Sequence, residues 1–298
     1  MSFRVTVPCT RSQGEAVAAG EMPFADDERS PVLVVDEPDA AKPDEWLIHA
    51  YFEHEPTGAE IALLASLGCG PPQTEQLGEQ DWVTMSQAGL QPIRAGRFTV
   101  HTPTYPPDPA RVNFEIDAGL AFGTGQHATT SGCLAALDEL EREGAVFANI
   151  ADIGTGTGLL AFAALNLWPE ARCIATDIDP IAIDVARDNA AINGVKLGHG
   201  VGELLLAVAD GLDSPLLTAR APFDLIIANI LAGPLIELAS DFERALAPGG
   251  TIILAGLLES QADAVAAAYE GLGLSLRART AGEWPVLALR SRAQADQA

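Results

Sequence analysis

Between Phe147 and Asp177 the chain spells an apolar run, the turn D-I-G-T-G-T-G from Asp152 to Gly158, a helical stretch, and a second apolar run, C-I-A-T-D, that closes on Asp177. That order commits the segment to strand, tight turn, helix and strand. Gly154, Gly156 and Gly158 let the backbone approach a ligand closely, and the first N–H groups of the following helix have no partner within it. An acid at the end of the next strand is where a ribose diol is held by two hydrogen bonds. The dinucleotide fingerprint wants its third glycine three residues after the second. Leu159 stands there and the third glycine falls one residue early, which disfavours a nicotinamide or flavin cofactor.

The same alternation continues on both sides of this unit. From Phe114 onward the pattern predicts helix 129–141, strand 147–153, helix 158–168, strand 173–177 and helix 181–193, the last opened by the cap and first-turn pair Asp179-Pro180. It goes on with strands 204–209 and 223–229, helix 234–246, strand 251–254 after the turn Pro248-Gly249-Gly250, helix 261–271, and two closing strands, 275–280 and 284–290. Alternating strands and helices build a parallel sheet covered on both faces. Two final strands joined by a short turn suit an antiparallel edge.

Residues 1–75 differ in character. They mix short apolar runs (Val32 to Val35, Trp46 to Phe52), acid-rich turns and one helical segment, Glu60 to Leu67, and predict a small α+β domain. A polar stretch over 76–92 reads as a linker, and residues 93–298 as the second domain, entered through a strand over 91–100 and the proline-stiffened loop that follows His101. A length of 298 residues favours two domains.

The 41 acidic and 17 basic residues give a net charge of -24, which disfavours tight docking on nucleic acid, because phosphate contacts need clustered Lys and Arg. Such a surface would attract a basic protein. Residues 1–80 alone carry 15 acids against 4 bases. Cys9, Cys69, Cys133 and Cys173 lie far apart with no C-x-x-C pair, so neither a zinc site nor a disulfide framework is expected, and the thiols should be reduced and mostly buried. The first residues lack an export pattern and no apolar run reaches membrane-spanning length, so a cytoplasmic location is expected.

Two further stretches could carry chemistry. Carboxyl ends of central strands open on the ligand crevice of such a sheet, and strand 223–229 ends there on Asn229, followed by Ile230-Leu231-Ala232. The segment A-G-L-A-F-G-T-G-Q-H-A-T-T (Ala118 to Thr130), with Phe122 as an apolar plug, reads as a lid; its His127 could accept a proton, or serve only as a hydrogen-bonding strut. The acid followed by three alternating glycines resembles motif I of class I S-adenosylmethionine-dependent methyltransferases. In that setting Gly154 and Gly156 pass beneath the cofactor, Asp152 orders the turn, Asp177 takes the ribose, Ile178 packs on the adenine and Asp210 approaches its amine. Asn229 then faces the reacting methyl. Enzymes acting on conjugated nitrogens often carry Asn-Pro-Pro-Tyr at this place, and its replacement by Asn-Ile-Leu-Ala favours an aliphatic amine as acceptor.

Taken together, F-G-T-G-Q-H-A-T-T (Phe122 to Thr130), motif I through Ala161, T-D-I-D-P-I-A-I (Thr176 to Ile183), A-N-I-L-A-G-P-L (Ala228 to Leu235) and L-A-P-G-G-T-I-I-L-A-G-L-L (Leu246 to Leu258) resemble the PrmA family, as does R-A-G-R-F-T-V-H (Arg94 to His101). The resemblance covers roughly residues 80–290. It implies a Rossmann-like, seven-stranded class I sheet with an antiparallel terminal edge, preceded by a small domain that grips the substrate. It also implies methyl transfer from S-adenosyl-L-methionine to lysine side-chain and N-terminal amines of large-subunit ribosomal protein eleven, met before or outside ribosome assembly. Cofactor contacts fall on Thr130, Gly154, Asp177 and Asn229, with Phe122 beside them. Ala118, Thr155 and Thr157 depart from the residues usual in the family. A class I methyltransferase for a small molecule or an RNA is the alternative reading.

Overall fold

The computed structural model describes residues 2–18, 31–36, 46–52, 54–77, 92–116 and 128–293. The chain divides into two compact units, Met1–Ser86 and Gln87–Ala298.

In the first unit, β1 (Ser2–Cys9), α1 (Arg11–Ala18), β2 (Val32–Asp36), β3 (Trp46–Phe52), α2 (Gly58–Ala65) and β4 (Gln73–Leu77) follow one another. The four strands pair antiparallel in the order β2-β3-β1-β4, and this β-α-β-β-α-β order is the ferredoxin-like arrangement. Strict alternation makes the core: Val5, Val7 and Cys9 are buried on one face of β1 and meet Ile48, Ala50 and Phe52 of β3. A capping box starts α2, where the Glu60 N–H donates to Thr57 Oγ1 at 3.3 Å and the Thr57 N–H donates to Glu60 Oε2 at 2.6 Å. The linker expected over 76–92 overlaps an element at its start: Gln76 and Leu77 belong to β4, an edge strand that pairs with β1 alone and keeps a solvated face, which tolerates Gln, Thr and Glu.

The second unit opens with β5 (Ile93–Ala95), β6 (Phe98–His101) and β7 (Val112–Glu115). The single strand expected over 91–100 is a hairpin turning at Gly96-Arg97, and β7 returns parallel to β6. Arg97 ion-pairs with Asp138 and Glu141 of α3 (Ala128–Arg142), which ties the hairpin to that helix.

The large sheet comprises β8 (Asn149–Ile153), β9 (Arg172–Asp177), β10 (Leu204–Val208), β11 (Phe223–Asn229), β12 (Leu246–Ala255), β13 (Ser275–Arg279) and β14 (Leu287–Arg290) in the order β10-β9-β8-β11-β12-β14-β13. The first five strands of that order are parallel, and β14 pairs antiparallel with both β12 and β13. One face packs α3 and α4 (Leu159–Leu167), the latter buried nearly all round, and also borders α5 (Pro180–Ile192). The other face packs α7 (Ala232–Glu237), α8 (Ala239–Ala245) and α9 (Glu259–Glu270), with α6 (Pro215–Arg220) beside them. Alternate residues serve the two cores: Ile150, Leu225, Ile227 and Ile253 face one, and Ala151, Ile226, Ala228 and Ile252 the other.

Three expectations change. Helix α6 is an addition; its signal was the pair Ser214-Pro215, a cap whose Oγ accepts from the Leu216 N–H, followed by a first-turn proline. The helix expected over 234–246 is two, α7 and α8, meeting at Leu238. The turn Pro248-Gly249-Gly250 does not precede β12 but lies within it, because Gly249 and Gly250 keep backbone bonds to Arg292 and Ser291. Cys69 is exposed, whereas Cys9, Cys133 and Cys173 are buried. Among the described residues no helix is long and apolar enough to cross a membrane.

Candidate functional site

Strand order reverses between β8 and β11, so their carboxyl ends bound the crevice where ligands bind in open α/β sheets. Gly154 follows β8, Asp177 ends β9 and Asn229 ends β11, and their three turns meet at this edge.

The glycine turn is tied at both ends by carboxylates. Asp152, 1% exposed, accepts through Oδ2 from Thr155 Oγ1 at 2.7 Å and from the Ala161 N–H at 3.1 Å, so one side chain joins β8, the turn and the first turn of α4. Burial pushes its pKa up to about 7; the two hydrogen bonds oppose that rise, and the nearby charge of Asp177 adds to it. Its Oδ1 is buried without a partner among the described residues. Asp177 accepts through Oδ2 from the Gly156 N–H at 2.9 Å and through Oδ1 from the Asp179 N–H at 3.1 Å. Each of its oxygens keeps a lone pair for a further donor. Beside it Ile178 is 65% exposed.

Gly154 has φ +74°, and a Cβ there would overlap the Cγ2 of Ile230. The room left by the missing side chain therefore receives Ile230 rather than standing open to a ligand. Gly158 likewise makes space for the ring of Phe162. The neighbour strand does the same to Ile230 from the other side. Gly256, directly after β12, has φ +87°, and a Cβ there would overlap the Ile230 carbonyl oxygen and come within 2.7 Å of its carbonyl carbon. The peptide that follows Asn229 is thus clamped between two glycine turns. Sequence reading did not single out Gly256, whose local signal is only a glycine after the apolar run of β12.

Asn229 and Thr130, 99 residues apart, come together: Asn229 Nδ2 donates to Thr130 Oγ1 at 3.3 Å, with Thr130 buried in the first turn of α3. The Asn229 side-chain carbonyl has no protein partner among the described residues and remains an acceptor. Leu231, two residues on, is 73% exposed. Asp210 is exposed just past β10, where its carbonyl accepts from the Asp213 N–H. Phe122, His127 and the rest of the expected lid through residue 127 lie outside the described residues.

An acceptor pair for a diol, an exposed apolar shelf beside it, and a free amide carbonyl one strand-pair away form a set suited to a nucleoside cofactor and an N–H-bearing acceptor. A family model described as ribosomal protein L11 methyltransferase (PrmA) matches residues 14–292, and so reaches beyond the 80–290 span that the motifs carry. The chain is 47% identical over 232 residues to a ribosomal protein L11 methyltransferase of Brucella abortus (strain S19), covering 76% of this chain and 78% of that protein. It is 42% identical over 288 residues to the ribosomal protein L11 methyltransferase of Rhizobium meliloti (strain 1021), covering 93% and 94%. The fold is similar to the crystal structure of a ribosomal protein L11 methylase from Lactobacillus delbrueckii subsp. bulgaricus, with a TM-score of 0.55 at 26% identity over 66% of this chain and 94% of that one.

Proposed function

From the premise that this chain belongs to the ribosomal protein L11 methyltransferase family, we propose that it transfers methyl groups from S-adenosyl-L-methionine to lysine side-chain and N-terminal amines of ribosomal protein L11. The observation that carries the reading is the convergence of Asp177, the Gly154–Gly158 turn and the Asn229–Thr130 pair at one edge of the sheet. When bound, the cofactor supplies a methyl group on a sulfonium, which an amine can displace in line. Asp177 would hold the ribose, Ile178 the adenine face and Asp210 its amine, while Gly154, Gly156, Thr130, Phe122 and Asn229 would line the rest of the site.

The protein's share of the reaction is positioning and water exclusion. With one Nδ2 hydrogen donated to Thr130, the Asn229 amide is held in place, and its carbonyl is the group that can receive an N–H of the attacking amine and point its lone pair. An aliphatic amine needs deprotonation but no help in localising that lone pair. His127 is the candidate proton acceptor. The acid-rich small unit, with 15 acids against 4 bases over residues 1–80, would draw in a basic ribosomal protein and grip it. The site of action would be the cytoplasm, before or outside ribosome assembly.

Purified protein incubated with methyl-labelled cofactor and L11 should label L11, with mass spectrometry locating the methyl groups on lysine and N-terminal nitrogens. Label that stays off L11 while entering RNA or small amines would overturn the substrate assignment. Methyl groups found on other atoms of L11 would overturn the amine assignment alone.

A further inference from the structure

Two of the four cysteines sit side by side in the small unit. Cys9 closes β1 and is 2% exposed, packed with Val17 and Ile48; Cys69 is exposed in the turn after α2. That turn lies flat on the end of β1. The Cys69 N–H donates to the carbonyl of Pro8, the residue before Cys9, at 2.7 Å. The flanking glycines allow the approach: a Cβ at Gly68 would overlap Val7 and the Pro8 carbonyl, and one at Gly70 would come within 3.0 Å of the Pro8 ring.

Ordinary bond lengths through that hydrogen bond hold the two cysteine Cα atoms within about 7 Å of each other. Disulfides span most of that range. Burial raises the Cys9 thiol above its ordinary value, and the Cys69 thiol adds to the rise. Cys69, being exposed, needs only a side-chain rotation to turn its sulfur toward Cys9.

We propose that Cys9 and Cys69 are an oxidisable thiol pair that peroxides close into a disulfide within the small unit. The Cys69 thiolate attacks a peroxide oxygen, the O–O bond breaks, a sulfenic acid forms, and the departing hydroxide takes up the proton the thiol released to leave as water. The Cys9 sulfur then attacks the Cys69 sulfur, the S–S bond forms, and the sulfenic oxygen departs as water with the Cys9 proton. Two thiols and one hydrogen peroxide give one disulfide and two waters; each sulfur loses one electron and the peroxide gains two. The order follows from access, because peroxide reaches Cys69 in solvent and not Cys9 beneath it. The bond ties the end of β1 to the segment after α2, in the unit proposed to grip the substrate.

The test treats the reduced, full-length protein with equimolar hydrogen peroxide, then denatures it, alkylates it and maps its peptides. The proposal expects the intact mass to fall by two hydrogens, Cys133 and Cys173 to be alkylated, a linked Cys9–Cys69 peptide, and full reversal by dithiothreitol. Cys69→Ser should leave the remaining thiols unoxidised under the same treatment, and Cys9→Ser should let Cys69 run on to the sulfinic acid. The idea is overturned if the wild-type protein carries a sulfinic Cys69 with Cys9 fully alkylated, if it forms Cys69-linked dimers, or if the bridge appears only when peroxide is added after denaturation.

Discussion

A methyl group added at Gly256 has nowhere to go, because the backbone of Ile230 already fills its place. Gly256→Ala should shift the peptide after Asn229 and reduce the methyl-transfer rate by roughly tenfold to hundredfold, the scale of an ångström of misplacement. The affinity for S-adenosyl-L-methionine, read by calorimetry, should change far less. Gly154→Ala meets only the tip of the Ile230 side chain, so Ile230→Ala should relieve part of that defect while leaving Gly256→Ala uncorrected. Equal behaviour of the two double variants would discard the clamp. Asp177→Ala should weaken cofactor binding by about 1.5–3 kcal/mol, the value of hydrogen bonds to a charged group; unchanged affinity would remove Asp177 from the ribose.

Asp152 makes a prediction about pH at the same scale. Its pKa is about 7 folded against the ordinary 3.8, so across that window the folded state holds a proton that the unfolded chain has released. Its contribution to stability is therefore full below pH 3.8 and is lost as pH rises to about 7. Asp152→Asn keeps an oxygen for Thr155 and Ala161 but cannot ionise, so its stability should fall less steeply over that window. Urea titrations at both ends of the window decide the matter, and parallel slopes for the two proteins would count against the assignment.

At the scale of elements, local chemistry starts the helices and tertiary pairing ends the strands. Asp179 Oδ1 accepts from the Ile181 N–H at 2.8 Å with Pro180 in the first turn, so the cap legible in the sequence is the cap of α5. Asp179→Ala should lower global stability by about 1 kcal/mol, measured by denaturant unfolding. A change within error would mean that packing of α5 alone fixes its start. The strands obey a different rule. A glycine pair after a proline reads as a stop, but β12 carries it through because Ser291 and Arg292 satisfy its backbone groups. The end of β4, Gln76 and Leu77, reads as linker because composition records exposure, and an edge strand is exposed on its outer side.

At the scale of the whole molecule, the proposed function assigns recognition to the first unit and chemistry to the second. Removing residues 1–86, the complete first unit rather than the shorter 1–75 read from composition, should leave cofactor affinity intact and abolish methylation of L11. A truncated enzyme still active on L11 would refute the gripping role. If charge guides the encounter, the association rate with L11 should also fall steeply between low and physiological salt, since screening sets in over about 10 Å.

The amino-acid sequence by itself determined the class of the large sheet, the glycine turn, the acid at its neighbour's end and Asn229. Each is written in consecutive residues whose spacing backbone geometry forces: continuous apolar runs, helix caps, and glycines where φ is positive. The meeting of Asn229 with Thr130, the clamp of Gly154 and Gly256 on Ile230, the β1–β4 edge and the nearness of Cys9 to Cys69 were decided only by tertiary structure. These partners lie tens of residues apart, and which of them touch depends on strand order and register, which local propensity does not encode.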